Sequence, residues 1–237
     1  MAETEVYLPG TNYALLTSPT FGETARPDWF EPGWWNSRAR PVGEGGRGGA
    51  WFIHREDGDW VLRHYRRGGL PAKVSERTYL YSSERRCRSF AEFRLLTHLR
   101  ARGLPVPEPV AAYYHRPSPW LYQAAILVRR IPRAQPLPAS DRYREAALWV
   151  QVGRMIRTFH DAGLDHVDLN VDNILVAGDC VYLIDFDRCR LRDPKGRDGW
   201  RASNLRRLSR SVEKRCRSLP DVERAHLWQC LFNAYQG

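Results

Sequence analysis

No apolar run in the chain approaches the roughly 18–20 residues that a bilayer-spanning helix needs, so any membrane contact is expected to be peripheral. Cysteine is sparse and odd in number, five residues with no C-x-x-C pairing. That argues against a disulfide framework and a zinc site, and for a reducing compartment. Residues 1–20 hold Glu3 and Glu5 and lack a basic start followed by an apolar block, so no signal peptide is expected. Internal repeats and low-complexity tails are also missing. Negative charge is short: 27 acidic residues face 37 basic ones, a formal net charge of +10, with arginine supplying most of the excess. Such a balance implies an anionic partner, whether nucleic acid, a membrane surface or a multiply phosphorylated substrate. Plain solubility in an arginine-rich coding background accounts for the same excess. What remains is an ordinary soluble composition, 43% apolar and 27% charged. At 237 residues the chain suffices for one large domain or two lobes.

The stretch from His166 to Asp187, HVDLNVDNILVAGDCVYLIDFD, organises the rest. Two short β-rich runs, Ile174–Val176 and Val181–Ile184, flank a Gly-Asp turn at Gly178–Asp179. The stretch therefore reads as loop, strand, turn, strand, loop. A hairpin returns its ends to one place, which predicts that Asp168 and Asn173 lie beside Asp185. Three convergent oxygen-bearing side chains suit a hard cation such as Mg²⁺ and a hydroxyl to be deprotonated. The order H-x-D-x-x-x-x-N, hairpin, D-F-x is the phosphotransferase pattern of kinases. A surface hairpin whose Asp and Asn are turn formers and caps is the bland alternative.

Upstream, residues 1–42 read as irregular, with five prolines and an aromatic cluster at Trp29, Phe30, Trp34 and Trp35. Those rings suit either core packing under a loop or a patch at a membrane interface or sugar cleft. GEGGRGGA at 43–50 places Gly43, Gly45 and Gly48 on G-x-G-x-x-G, with Gly46 between them. Glycine amides approach phosphate oxygens with no Cβ in the way. A strand follows the loop, which favours a kinase flap over a dinucleotide fold, although any flexible hairpin loop looks similar. Trp60–Tyr65 forms the next strand after a turn at Glu56–Asp59. Arg63 occupies its phosphate-anchoring position, where kinases carry lysine. His64 reads as structural. A helix over about 83–102 repeats Phe90, Phe93, Leu96 and Leu99, and Glu92 either pairs with Arg63 or stays solvated. Val110–Tyr114 and Tyr122–Arg130 complete an antiparallel sheet, and the proline-rich run 131–138 connects two lobes. A helix over about 142–162 delivers the chain to the loop at 166–173. A basic helix over about 203–216 turns Leu205, Leu208 and Val212 inward. Its arginines form a solvated face or an anionic docking face. A closing helix spans 221–235.

These residues predict an α+β, bilobal protein-kinase-like fold. Its N-lobe, 1–131, is a small antiparallel sheet with one main helix; its C-lobe, 132–237, is mostly helical. The segments HVDLNVDNILV and VYLIDFDRCR, with GRGGAWFI and VLRHYRRGG upstream, resemble the Kdo kinases. These are the 3-deoxy-D-manno-octulosonic acid kinases of Gram-negative lipopolysaccharide inner-core synthesis, related to the heptose kinases of that pathway. The resemblance covers nearly the whole chain. It implies ATP-dependent phosphorylation of the Kdo 4-hydroxyl on a Kdo-bearing lipid A precursor. It also implies a peripheral protein on the anionic cytoplasmic face of the inner membrane, with no obligate protein partner evident. By resemblance Asp168 matches the catalytic base, Asn173 and Asp185 the magnesium ligands, and the glycine loop and Arg63 the nucleotide's phosphate contacts.

Departures matter too. Asn170 stands where protein-serine kinases carry lysine, Asp187 replaces the glycine of D-F-G, and no Ala-Pro-Glu follows. A small-molecule or glycolipid acceptor is therefore favoured over a protein. A heptose kinase, a protein Ser/Thr kinase-like enzyme and a non-catalytic kinase-like binding module are the alternative readings. Nucleic acid is not expected as a partner, because no recognition motif accompanies the charge.

Overall fold

The structure is a computed structural model that describes residues 5–22, 24–43, 49–66, 77–194, 196 and 199–237. The chain divides into two units: Met1–His98 with Pro107–Arg130, and Leu99–Val106 with Ile131–Gly237. A single cut at residue 131 therefore misassigns Leu99–Val106. That segment belongs to the second unit, where the Leu183 amide donates to the Pro105 carbonyl at 3.1 Å.

The first unit is built on an antiparallel sheet. Its strands are β1 (Val6–Pro9), β2 (Tyr13–Thr17), β3 (Ala39–Pro41), β4 (Ala50–Ile53), β5 (Trp60–His64), β6 (Tyr79–Leu80), β7 (Pro109–Ser118) and β8 (Leu121–Arg129). They pair in the order β1-β2-β7-β8-β5-β4-β3, with β6 also on β8. Helix α1 (Arg88–Ala101) buries Phe90, Phe93, Leu96 and Leu99, the residues whose spacing predicts it. Residues 5–17 correct the expectation of an irregular start. Tyr13–Thr17 is a buried strand paired with β7, and Gly10–Asn12 turns the chain into it.

Most of the early aromatics are core. Trp29, Phe30 and Trp35 are buried with Trp60, and Trp29 lies 5.1 Å from Trp60 between ring centroids. The Trp35 indole N–H donates to the Trp29 carbonyl at 2.9 Å, satisfying the polar atom that burial would otherwise strand. Trp34 keeps 38% of its surface exposed and packs edge-on against Trp35. The core reading therefore holds for three of the four rings.

The second unit holds helices α2 (Ala146–Asp161), α3 (Trp200–Arg215) and α4 (Asp221–Gln236). Its short strands are β9 (Gln135–Pro136), β10 (Leu164–Asp165), β11 (Ile174–Ala177), β12 (Cys180–Leu183) and β13 (Arg190–Leu191). β11 pairs with β12 and, on its other side, with β9. The proline-rich connection is thus partly a strand. Leu148, Val152, Met155 and Phe159 of α2 are buried, as their spacing predicts. Gly153 lets α4 approach that face: a Cβ there would sit 2.2 Å from the Leu231 carbonyl oxygen. In α3 the buried stripe is Trp200, Asn204, Leu208 and Val212, one residue every fourth position. Leu205, expected inward, is half-buried, and the polar Asn204 takes the inner place.

Candidate active site

Five bonds assemble the loop and hairpin. The Ile184 amide donates to the Asn173 carbonyl at 3.0 Å, closing the hairpin's mouth beside Asp185. The Asn173 side-chain amide donates to the Asp168 carbonyl at 3.0 Å. Asn170 donates to that same carbonyl at 2.9 Å, while its own oxygen accepts from the Asp172 amide at 2.9 Å and the Asn173 amide at 3.2 Å. Asn170 thus caps the single 3₁₀ turn Val171–Asn173. In the sequence Asn170 stands out only as a replaced lysine; its capping role needs the turn to be seen.

His166 anchors the whole assembly. It is 1% exposed, its Nε2 lies 3.1 Å from the Ile184 carbonyl, and its backbone N–H donates to Asn204 Oδ1 at 2.9 Å. Burial pushes its pKa down, which favours the neutral imidazole. Asn204 also donates to Asp165 Oδ1 at 3.0 Å, and Arg192 Nε donates to Asp165 Oδ2 at 2.6 Å. Burial alone would raise the Asp165 carboxyl; the bonds from Arg192 and Asn204 outweigh it and hold the carboxyl below the usual carboxylate range. Asp165, Asn204 and Arg192 carry no recognisable spacing, and sequence reading missed all three.

Asp185 adopts a left-handed backbone, φ 64°, and so does Arg188 at φ 62°. Non-glycine residues in this region cost about 1–3 kcal/mol each and cluster where function fixes the backbone. The metal-binding side chains proposed from this loop and hairpin offer oxygen atoms only: the carboxylates of Asp168 and Asp185 and the amide oxygen of Asn173. No cluster of three or more His, Cys, Asp or Glu side chains able to hold a metal forms among the described residues. Two carboxylates with an amide suit a hard cation that keeps several waters, as Mg²⁺ does, better than zinc.

In the first unit Arg63, on β5, donates from its Nη2 to both carboxylate oxygens of Glu92 on α1. Tyr65 adds a hydroxyl donor to Glu92 Oε2 at 2.5 Å. The Glu92 side chain is 4% exposed and that of Arg63 26%, so a buried carboxylate orients a partly open guanidinium. Of the two outcomes open for Glu92, pairing is the one found. Glu84, near the start of that helix, accepts from Tyr7 and Tyr114. His64 Nε2 lies 2.9 Å from the Phe30 carbonyl, a structural contact.

Of the glycine run, Gly43 has φ 85°, a conformation that suits glycine. Gly49 is held where a Cβ would come within 2.9 Å of the His64 carbonyl oxygen. Gly45, Gly46 and Gly48 lie outside the described residues.

An antiparallel sheet with one helix, followed by a helix feeding an H-x-D loop and an Asp-Phe hairpin, defines a protein-kinase-like phosphotransferase. The chain belongs to the lipopolysaccharide kinase (Kdo/WaaP) family, which it matches over residues 33–235. It is 51% identical over 209 residues to a 3-deoxy-D-manno-octulosonic acid kinase of Stenotrophomonas maltophilia (strain R551-3), covering 86% of this chain and 82% of that protein. Among solved structures it resembles an aminoglycoside-3'-phosphotransferase of type VIII, with a TM-score of 0.56 and 16% identity over 84% of this chain and 87% of the other. It also resembles WaaP in complex with acyl carrier protein, with a TM-score of 0.51 and 18% identity over 83% and 78% of the two chains. At such identities the structural likeness is one of fold alone.

Proposed function

We propose that this chain transfers the γ-phosphoryl group of ATP to the 4-hydroxyl of Kdo on a Kdo-bearing lipid A precursor. The observation that carries this reading is the 51% identity to a 3-deoxy-D-manno-octulosonic acid kinase. The loop chemistry supports it. Asp168 orients the sugar hydroxyl and accepts its proton as the new P–O bond forms and the bond to the departing ADP breaks. Asp185 and Asn173 are the residues that would hold Mg²⁺, which when bound neutralises charge on the migrating group. Arg63, set in place by Glu92 and Tyr65, is the cation for the α- and β-phosphates. The glycine run at 43–49 supplies amides for the remaining phosphate oxygens.

The basic face of α3 supports a peripheral location. Arg206, Arg210 and Lys214 recur every fourth residue on its exposed side, and Arg217 follows just beyond its end. None of the four has an acidic partner among the described residues. Each basic side chain near an anionic leaflet contributes about 1 kcal/mol, so this stripe suits peripheral attachment to the cytoplasmic face of the inner membrane. Co-sedimentation with phosphatidylglycerol vesicles should then fall steeply with salt. Sedimentation unchanged at high salt would remove electrostatic attachment.

The acceptor is tested by mass spectrometry of products from ATP, Mg²⁺ and a Kdo-lipid A precursor, beside a heptosylated core acceptor. One phosphate added to the Kdo residue is expected. Phosphate found only on heptose would assign the chain to the heptose kinases, and none on either would overturn the glycolipid reading.

A further inference from the structure

The second unit contains a cavity that the phosphotransfer reading does not use. Its volume is about 650 Å³, within the range of about 300–1,000 Å³ typical of small-molecule sites. Three structural pieces wall it: the end of α1 with the segment after it, one face of α2, and the far end of the β11–β12 hairpin. On α2 the lining residues are Gln151, Arg154, Met155 and Thr158, spaced three and four apart and hence on a single face. Gln151 Nε2 fixes this face to the hairpin tip by donating to the Asp179 carbonyl at 2.5 Å.

Chemically the cavity has two parts. Leu104, Met155 and Val181 are buried and form an apolar floor. Around it stand the exposed arginines Arg100, Arg102 and Arg154, and no acidic side chain among the described residues lines the cavity. Arg102 is steadied by one bond, Nη1 to the Ala162 carbonyl at 3.1 Å. Arg154 has no acidic partner among the described residues, so its guanidinium is open to a ligand. Guanidinium groups recognise oxyanions, which they can grip through paired N–H donors. The floor adds a requirement that a bare anion fails to meet, because burying apolar surface needs an apolar group to cover it.

We infer that this cavity binds a small amphiphilic anion, an oxyanion head carried on an apolar body, at a site separate from the phosphotransfer residues. The separation follows from the hairpin's own geometry. Asn173 and Asp185 stand at its mouth, whereas Cys180 lines the cavity at its tip. Five residues of near-extended chain between Cys180 and Asp185 span about 15 Å. A ligand at the tip thus grips β12, the strand whose other end leads to Asp185.

Cys180 provides the readout. It is exposed and lines the cavity, while Cys87 and Cys216 are buried and Cys189 and Cys230, both elsewhere, serve as internal references. The rate of N-ethylmaleimide alkylation at each cysteine of the full chain is followed by peptide mass spectrometry. The probes are octyl phosphate, octanoate, octyl glucoside and inorganic phosphate, each below its micelle concentration where one exists. Octyl phosphate or octanoate should slow alkylation of Cys180 but not of Cys189 or Cys230, and whichever protects at lower concentration identifies the head as phosphate or carboxylate. Octyl glucoside and inorganic phosphate should protect at least about tenfold less well at equal concentration. Arg154→Glu, on the exposed side of α2, should raise the half-protecting concentration by about fivefold or more, consistent with loss of one partly exposed ion pair. Failure of both anionic amphiphiles to protect Cys180 would overturn the inference. Equal protection by octyl glucoside or by inorganic phosphate would also overturn it, as would unchanged protection in Arg154→Glu with a wild-type melting temperature.

Discussion

The hairpin of the second unit and the Arg63–Glu92 pair of the first both carry charge proposed for phosphate chemistry, but they are held in different ways. In the hairpin, backbone groups do the positioning: Ile184 N–H to Asn173, and two side-chain amides to the Asp168 carbonyl. None of these bonds uses the carboxyl of Asp168. In the first unit the positioning is between side chains, with a guanidinium and a phenol converging on a carboxylate that is 4% exposed. A functional side chain can therefore be altered in the hairpin with little structural cost. Altering Arg63 leaves a buried charge behind.

The largest expected effect sharpens that contrast. Asp168→Asn should lower turnover by about 10²- to 10⁴-fold, the usual contribution of a general base. Its melting temperature should stay near wild type, because the loop bonds use the Asp168 carbonyl and not its carboxyl. Near-wild-type turnover in the purified variant would remove Asp168 as the base.

Acid should weaken the second unit next. His160, 1% exposed and 2.9 Å from the Tyr235 hydroxyl, faces Arg201, Asn204, Asp161 and Asp165. Burial and then Arg201 push its pKa down to about 4 from an ordinary 6.5. A depressed histidine is neutral in the fold and takes up its proton more readily on unfolding. Its stabilisation is therefore complete above about pH 6.5 and lost as pH falls towards 4. The loss is on the order of 3 kcal/mol, and His166 adds to it in the same direction. Denaturant unfolding across pH 4–7 measures it, and the slope should flatten in His160→Gln. An identical slope in that variant would assign the acid loss elsewhere.

Arg63→Met should destabilise the protein by about 2–3 kcal/mol, below the range for a fully buried pair because the guanidinium is partly exposed. Adding Glu92→Leu should restore most of that stability without restoring nucleotide affinity, since the stranded charge is gone but the phosphate cation is not replaced. A double variant that recovers affinity would mean that Arg63 serves only the fold.

The same contrast explains what could be read in advance. Asp168, Asn173 and Asp185 lie within 18 residues of one another, so hairpin geometry brings them together from spacing alone. Arg63 and Glu92 are 29 residues apart, and helical periodicity placed Glu92 on α1 without deciding whether it turned inward. Asn204 was invisible because a polar residue in a buried stripe breaks the very pattern used to find such stripes. Its reason lies 38 positions away, at the backbone of His166. The strand at Tyr13–Thr17 went unread because it takes its pairing from β7, nearly a hundred residues on, while prolines dominate its surroundings.

The division of labour within the hairpin is tested most directly by ATP binding measured calorimetrically with and without Mg²⁺. Wild type and Asp168→Asn should both bind ATP more tightly when magnesium is present, whereas Asp185→Asn should bind it equally in either case. Full magnesium enhancement in Asp185→Asn, or its loss in Asp168→Asn, would contradict the assignment of one carboxylate to the metal and the other to the proton.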